Sequence, residues 1–194
     1  MSEFNLWFVT GLEHILDLKG YDHILYIIAL SIIFSRRHWE QLLWLVTAFT
    51  LGHSLTLALS VSNLIRMPQS IVEIWIALTI LISCIWNLKD LKSENAGMKT
   101  RYVTAAVFGC IHGLGFSYLL KSMLGHEESI LFPLLSFNLG LEVGQLLILA
   151  LVIFAKSFFE EFLPKKQKLF TTTITFVILL LSLYMLVNRL ISYF

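Results

Sequence analysis

Five long, nearly uncharged apolar stretches, residues 42–61, 71–88, 102–120, 130–155 and 169–191, constrain this chain more than any other feature. At a rise of about 1.5 Å per residue, roughly 20 apolar residues carry a helix across a hydrocarbon core about 30 Å thick. Each stretch meets that length or comes close to it. Composition agrees: of 194 residues, 57% are hydrophobic and 14% charged, and the mean hydropathy is +0.79. These values exclude disorder and an ordinary soluble domain, so the chain reads as an integral membrane protein.

A sixth apolar segment, residues 24–34, is too short to span alone. We expect a span from about residue 21 to 35, preceded by a helix over 4–18 that lies at the interface or packs against the bundle. Gly20 is the expected break between them. The fold class is therefore all-α: a polytopic transmembrane helix bundle of about six spans plus a short N-terminal helix. With no soluble segment, internal repeat or low-complexity tract, residues 1–194 read as one domain.

The linkers are short, and with six spans they alternate sides. One side receives Arg36, Arg37, Lys89, Lys92, Lys99, Arg101, Lys156, Lys165, Lys166 and Lys168, the other Lys19, Arg66, Lys121 and Arg189. Under the positive-inside rule this ten-to-four split places both termini outside the cytoplasm. A net charge of +1 leaves no basic surface for nucleic acid. The first Lys is Lys19, so no basic region precedes the first apolar stretch; a cleavable signal peptide is not expected and the chain reads as a mature form. Cys84 and Cys110 fall inside apolar segments and read as small buried hydrophobes.

Against this background the polar intrusions stand out, because a charged group at mid-helix costs about 2.5 to 3.5 kcal/mol to insert. Glu13, His14, Asp22 and His23 fall within GLEHILDLKGYDHILY (11–26). Histidine and carboxylate with no nearby thiolate suit nickel, cobalt, zinc, iron or manganese; a solvated helix end is the plain alternative. Thr50, His53 and Thr56, at i−3 and i+3, form one polar stripe on an apolar helix, suited to a site or to hydrogen-bonded helix packing. Glu73 follows Pro68 and Ser70 in a pattern that fits a capping box. His112 lies in FGCIHGLGF, whose Gly109, Gly113 and Gly115 allow close helix approach. Asn138, Glu142 and Gln145 share one helix face, and a mid-span Glu without a cation in its own helix is protonated, paired across helices or bound to a cation. His38, His126, Glu127 and Glu128 sit in linkers and read as solvated. On the expected topology His23, Asp22, Glu73, His53, His112 and Glu142 can meet in the outer half of the membrane.

Taken in order, GLEHILDLKGYDHILY, VTAFTLGHSLTLAL, VEIWIAL, FGCIHGLGF and FNLGLEVGQL resemble the HupE/UreJ family of bacterial membrane proteins. The resemblance implies a nickel or cobalt permease associated with metal supply to hydrogenase and urease, in the bacterial inner membrane. It implies functional roles for His14, Asp22, His23, His53, Glu73, His112 and Glu142. The better-characterised hydrogenase branch has its first His closer to the Asp-His pair; here seven residues separate His14 from Asp22, which resembles the second subgroup.

The leading expectation is a divalent-metal permease, for nickel, cobalt or zinc, with ligands His14, Asp22, His23, His53, His112 and Glu142. Glu13, Glu73, Asn138, Gln145, Thr50 and Thr56 are supporting residues. The alternative is an intramembrane zinc hydrolase with Glu142 or Glu73 as general base. A metal sensor or chaperone would use the same ligands. Expected partners are the lipid bilayer and the metal ion, with a homo-oligomer or metalloenzyme-maturation proteins as further possibilities.

Overall fold

The structure, a computed structural model, describes residues 2–91, 98–125 and 129–194. Lys92, His126, Glu127 and Glu128 lie outside the described residues. Within them the chain is helical, with no strand: α1 (Glu3–Leu16), α2 (Asp22–Ser31), α3 (Trp39–Val61), α4 (Gln69–Asp90), α5 (Met98–Leu124), α6 (Leu131–Phe162) and α7 (Gln167–Tyr193), with 3₁₀ turns at Arg36–His38 and Pro164–Lys166. The last five helices are long and apolar enough to cross a membrane. Rows of exposed side chains such as Leu51, Leu55, Leu147, Leu151 and Phe154 face outward, as lipid-facing surfaces do.

The sixth crossing is built differently from the single segment expected over residues 21–35. Helix α2 stops at Ser31 and has ten residues, which at about 1.5 Å per residue covers roughly half of a bilayer core. The preceding α1 supplies the remainder. It starts at Ser2, whose hydroxyl accepts the Asn5 N–H at 3.3 Å, and it ends at Asp17, whose carboxylate accepts the Lys19 N–H at 2.8 Å. That Asp turn, followed by Gly20, breaks the helix; Gly20 keeps a negative φ.

Both halves run in the same direction. A methyl on Gly140 would overlap the Phe8 carbonyl, and one on Gly144 would come within 3.1 Å of Ile15, so α1 descends parallel to α6. Below it, Ala29 of α2 accepts the Asn87 side-chain N–H at 2.6 Å, and Phe34 lies 5.2 Å from the Arg101 guanidinium near the start of α5. Helices α1 and α2 are thus two pieces of one discontinuous crossing.

Helices α3 and α5 pack as closely as α1 and α6. Cβ atoms on Gly52, Gly109 or Gly113 would overlap the carbonyls of Ala106, Phe49 and His53 respectively. Without a hydrophobic drive between helices in lipid, such backbone approach is a main source of association. It also sets His53 and His112 at neighbouring levels.

Charged groups gather at the two ends of the bundle. Arg101 is buried at 8% exposure and is held by Asn87 and Asp90, while Arg36 approaches Glu160 and Glu161 and Lys156 donates to Thr171 at 3.2 Å. At the opposite end Arg189 pairs with Glu73 at 2.9 Å, and Asn63 accepts from both Arg66 and Lys121. The capping box expected at Glu73 is absent. The N-cap of α4 is Pro68, without a side-chain cap, and the Glu73 carboxylate is drawn instead to Gln69 and Arg189. Cys84 is buried and Cys110 half-buried, both as free thiols.

Candidate metal centre

Four histidines from four helices converge just below the break in the first crossing. His14 comes from the last turn of α1, His23 from the first turn of α2, His53 from α3 and His112 from α5. His53 and His112 are 0% exposed and His23 is 3% exposed. Ring centroids lie 4.6 Å apart for His14 and His23, 5.8 Å for His23 and His53, 6.1 Å for His14 and His53, and 5.0 Å for His23 and His112. One ring nitrogen each from His14, His23 and His53 falls within 4.8 Å of the others. Nitrogens bound to one ion at about 2.0–2.1 Å sit roughly 3.3 Å apart, so modest side-chain rotation closes the set.

The hydrogen-bond pattern tests whether these residues suit an ion. Buried polar atoms almost always have partners, yet His14 Nε2, His23 Nε2, both nitrogens of His53, and His112 Nδ1 have none. A neutral imidazole offers one lone pair, so the four rings can give an ion at most four donors, and each ring has at least one of these unpartnered nitrogens. Asp22 adds negative charge: its Oδ1 lies 2.8 Å from His23 Nδ1, although that oxygen is engaged by the His23 backbone N–H at 2.7 Å. The donor set, imidazole with a carboxylate alongside, fits borderline divalent ions of the nickel, cobalt and zinc type.

The walls are apolar. Phe116 lies over His14 with centroids 3.8 Å apart and stacks on Phe137, while Tyr26 and Phe49 pack against His112 from the other side. One cavity of about 110 Å³ reaches the cluster; His14, His23 and His112 line it together with Asp17, Asp22, Glu73 and Arg189. With liquid water occupying about 30 Å³ per molecule, it has room for a few waters or a partly hydrated ion. The exposed Asp17 and the Glu73–Arg189 pair put this opening at the end of the bundle that carries both described chain ends.

The other residues singled out in the sequence are distributed around this group. Thr50 donates to Gln145 Oε1 at 2.6 Å and Thr56 to the Cys110 carbonyl at 2.7 Å, so the Thr50–His53–Thr56 stripe faces α5 and α6. Glu142 stands apart from the histidines on the seam of α3 and α6, where its Oε1 accepts from Thr47 at 3.1 Å. Asn138 is half-buried with an unpartnered Oδ1, and Glu13 is exposed. Sequence reasoning passed over Asp17, Phe116, Arg189 and Thr79, whose hydroxyl lies 3.1 Å from His112 Nε2. One signal was available: Thr79, Ser83 and Asn87 recur every four residues and form a buried polar stripe on α4.

Fold and site together define a polytopic α-helical membrane protein with a buried histidine centre at a helix break. The chain belongs to the HupE/UreJ family: the family profile described as HupE / UreJ protein matches residues 1–189. That family is associated with nickel and cobalt transport. Neither the curated proteins nor the solved structures contain a match.

Proposed function

We propose that the protein is a divalent transition-metal permease of the nickel and cobalt type. The observation that carries this reading is the group of four histidines with unpartnered imidazole nitrogens beside a cavity that Asp17, Asp22 and Glu73 also line. A permeating ion exchanges its water for ligands strong enough to dehydrate it and stepped enough to release it. Asp17 and Asp22 attract the ion, and His14, His23, His53 and His112 replace its hydration shell. Glu142, on the α3–α6 seam, is the next charge it meets. A discontinuous helix at the binding level is a recurring way to build such a site, because the break frees polar groups where the ion must stop.

The hydrolase alternative needs a carboxylate free to activate a metal-bound water. Glu73 is tied to Arg189 and Glu142 to Thr47, which favours the permease. The test is reconstitution into liposomes with nickel(II) or cobalt(II) outside. Saturable uptake together with about one bound ion per chain is the expected result. Stoichiometric metal without flux would exclude transport, and folded protein that takes up none of nickel, cobalt, zinc or manganese would remove the metal centre itself.

We place the protein in the bacterial inner membrane with both termini outside the cytoplasm, on the strength of the Lys and Arg split between the two ends. The cavity then opens outward and the permease is an importer. A periplasm-dependent reporter fused after Phe194 should be active; activity only of a cytoplasmic reporter there would invert the direction.

A further inference from the structure

We propose that Thr79 is a positioning residue that holds His112 as its Nε2–H tautomer and so turns the bare Nδ1 into a fourth ligand for the ion; this rests on the metal-permease reading above. A threonine hydroxyl has one hydrogen and two lone pairs. The Thr79 hydroxyl lies 2.7 Å from the Ile76 carbonyl, one turn back on α4. A carbonyl can only accept, so the single hydrogen is used there. His112 Nε2 sits 3.1 Å from the same oxygen, and with the hydroxyl hydrogen on the carbonyl the complementary arrangement is an Nε2–H donating to Thr79.

The tautomer follows from that contact. A neutral imidazole with hydrogen on Nε2 carries an unshared pair on Nδ1, the nitrogen of His112 that is buried without a partner. The opposite tautomer would bury an N–H with no acceptor at Nδ1, an unfavourable state for a buried donor. Thr79 is itself 2% exposed and His112 is 0% exposed, so the contact is between two buried groups. The ring stands edge-on to His23, with centroids 5.0 Å apart, and lines the same cavity as His14 and His23. Metal-bound histidines generally have the second nitrogen fixed by an acceptor in this way, which orients the ring and sets which nitrogen binds.

The test reads the tautomer and the affinity separately. Long-range proton–nitrogen correlation spectra of metal-free, 15N-histidine-labelled protein should show His112 protonated at Nε2 and bare at Nδ1. Thr79→Val, which keeps the branched shape without the acceptor, should lose that preference and weaken nickel(II) binding by about 10 to 100-fold. Thr79→Ser should restore both. A wild-type His112 protonated at Nδ1, or a Thr79→Val protein with unchanged spectrum and affinity, would overturn the assignment. Because the tautomer is read without metal, a wild-type protein that binds no nickel(II), cobalt(II) or zinc(II) overturns the proposed function, while the imidazole spectrum still decides the role of Thr79.

Discussion

His23→Ala should lower metal affinity by about 100-fold or more, beyond the 10 to 100-fold typical of losing a group that only supports a ligand, and should abolish uptake into liposomes. His23 is the histidine nearest to all the others: its ring centroid lies within 4.6 to 5.8 Å of those of His14, His112 and His53. It also carries the contact to Asp22. Removing it leaves His14 on α1 and His53 on α3 without the ring between them. The measurement is isothermal titration with nickel(II) on purified protein, with helicity and thermal unfolding of the metal-free variant followed alongside. Wild-type affinity with a lowered unfolding temperature would make His23 a packing residue and dissolve the centre.

Glu142→Gln should separate binding from movement. The substitution keeps an Oε1 that can accept from Thr47, as Glu142 does at 3.1 Å, and removes the charge. A dehydrated cation leaving the histidines loses its only carboxylate on that seam among the described residues of α3 and α6 near Thr47 and Thr50. Metal content should stay at the wild-type level while the uptake rate falls by about ten- to a hundredfold, equivalent to about 1.4 to 2.7 kcal/mol on the barrier. Uptake and metal content both unchanged would make Glu142 a packing residue and send the path elsewhere. Equal metal content, no flux in either protein and a loss of turnover on a membrane substrate by about 10² to 10⁴-fold would instead identify a general base.

The two substitutions act at different places because tertiary structure divides residues that the sequence presents alike. His53, His112 and Glu142 each appear as one polar intrusion in an apolar run, with nothing local to say which of them meet. The glycines resolve it. Gly52, Gly109 and Gly113 bring the α3 and α5 backbones into contact, so that His53 and His112 both reach His23, whereas Glu142 turns to Thr47.

From sequence alone the five spans, the all-helical class and the histidine and carboxylate inventory were determined, because the solvation cost of moving side chains into lipid is local and accumulates along the chain. The blocks from GLEHILDLKGYDHILY to FNLGLEVGQL were also sufficient for the family, which the match over residues 1–189 shows. What only the tertiary structure decided depends on directions and partners that hydropathy does not encode. Helix α1 completes the first crossing because the Asp17 turn leaves α1 and α2 aligned along α6. Glu73 gives up its capping pattern because Arg189, 116 positions away in sequence, reaches it. Thr79 faces His112 because of the rotation of α4 about its own axis, a quantity that the close packing of facing helices sets.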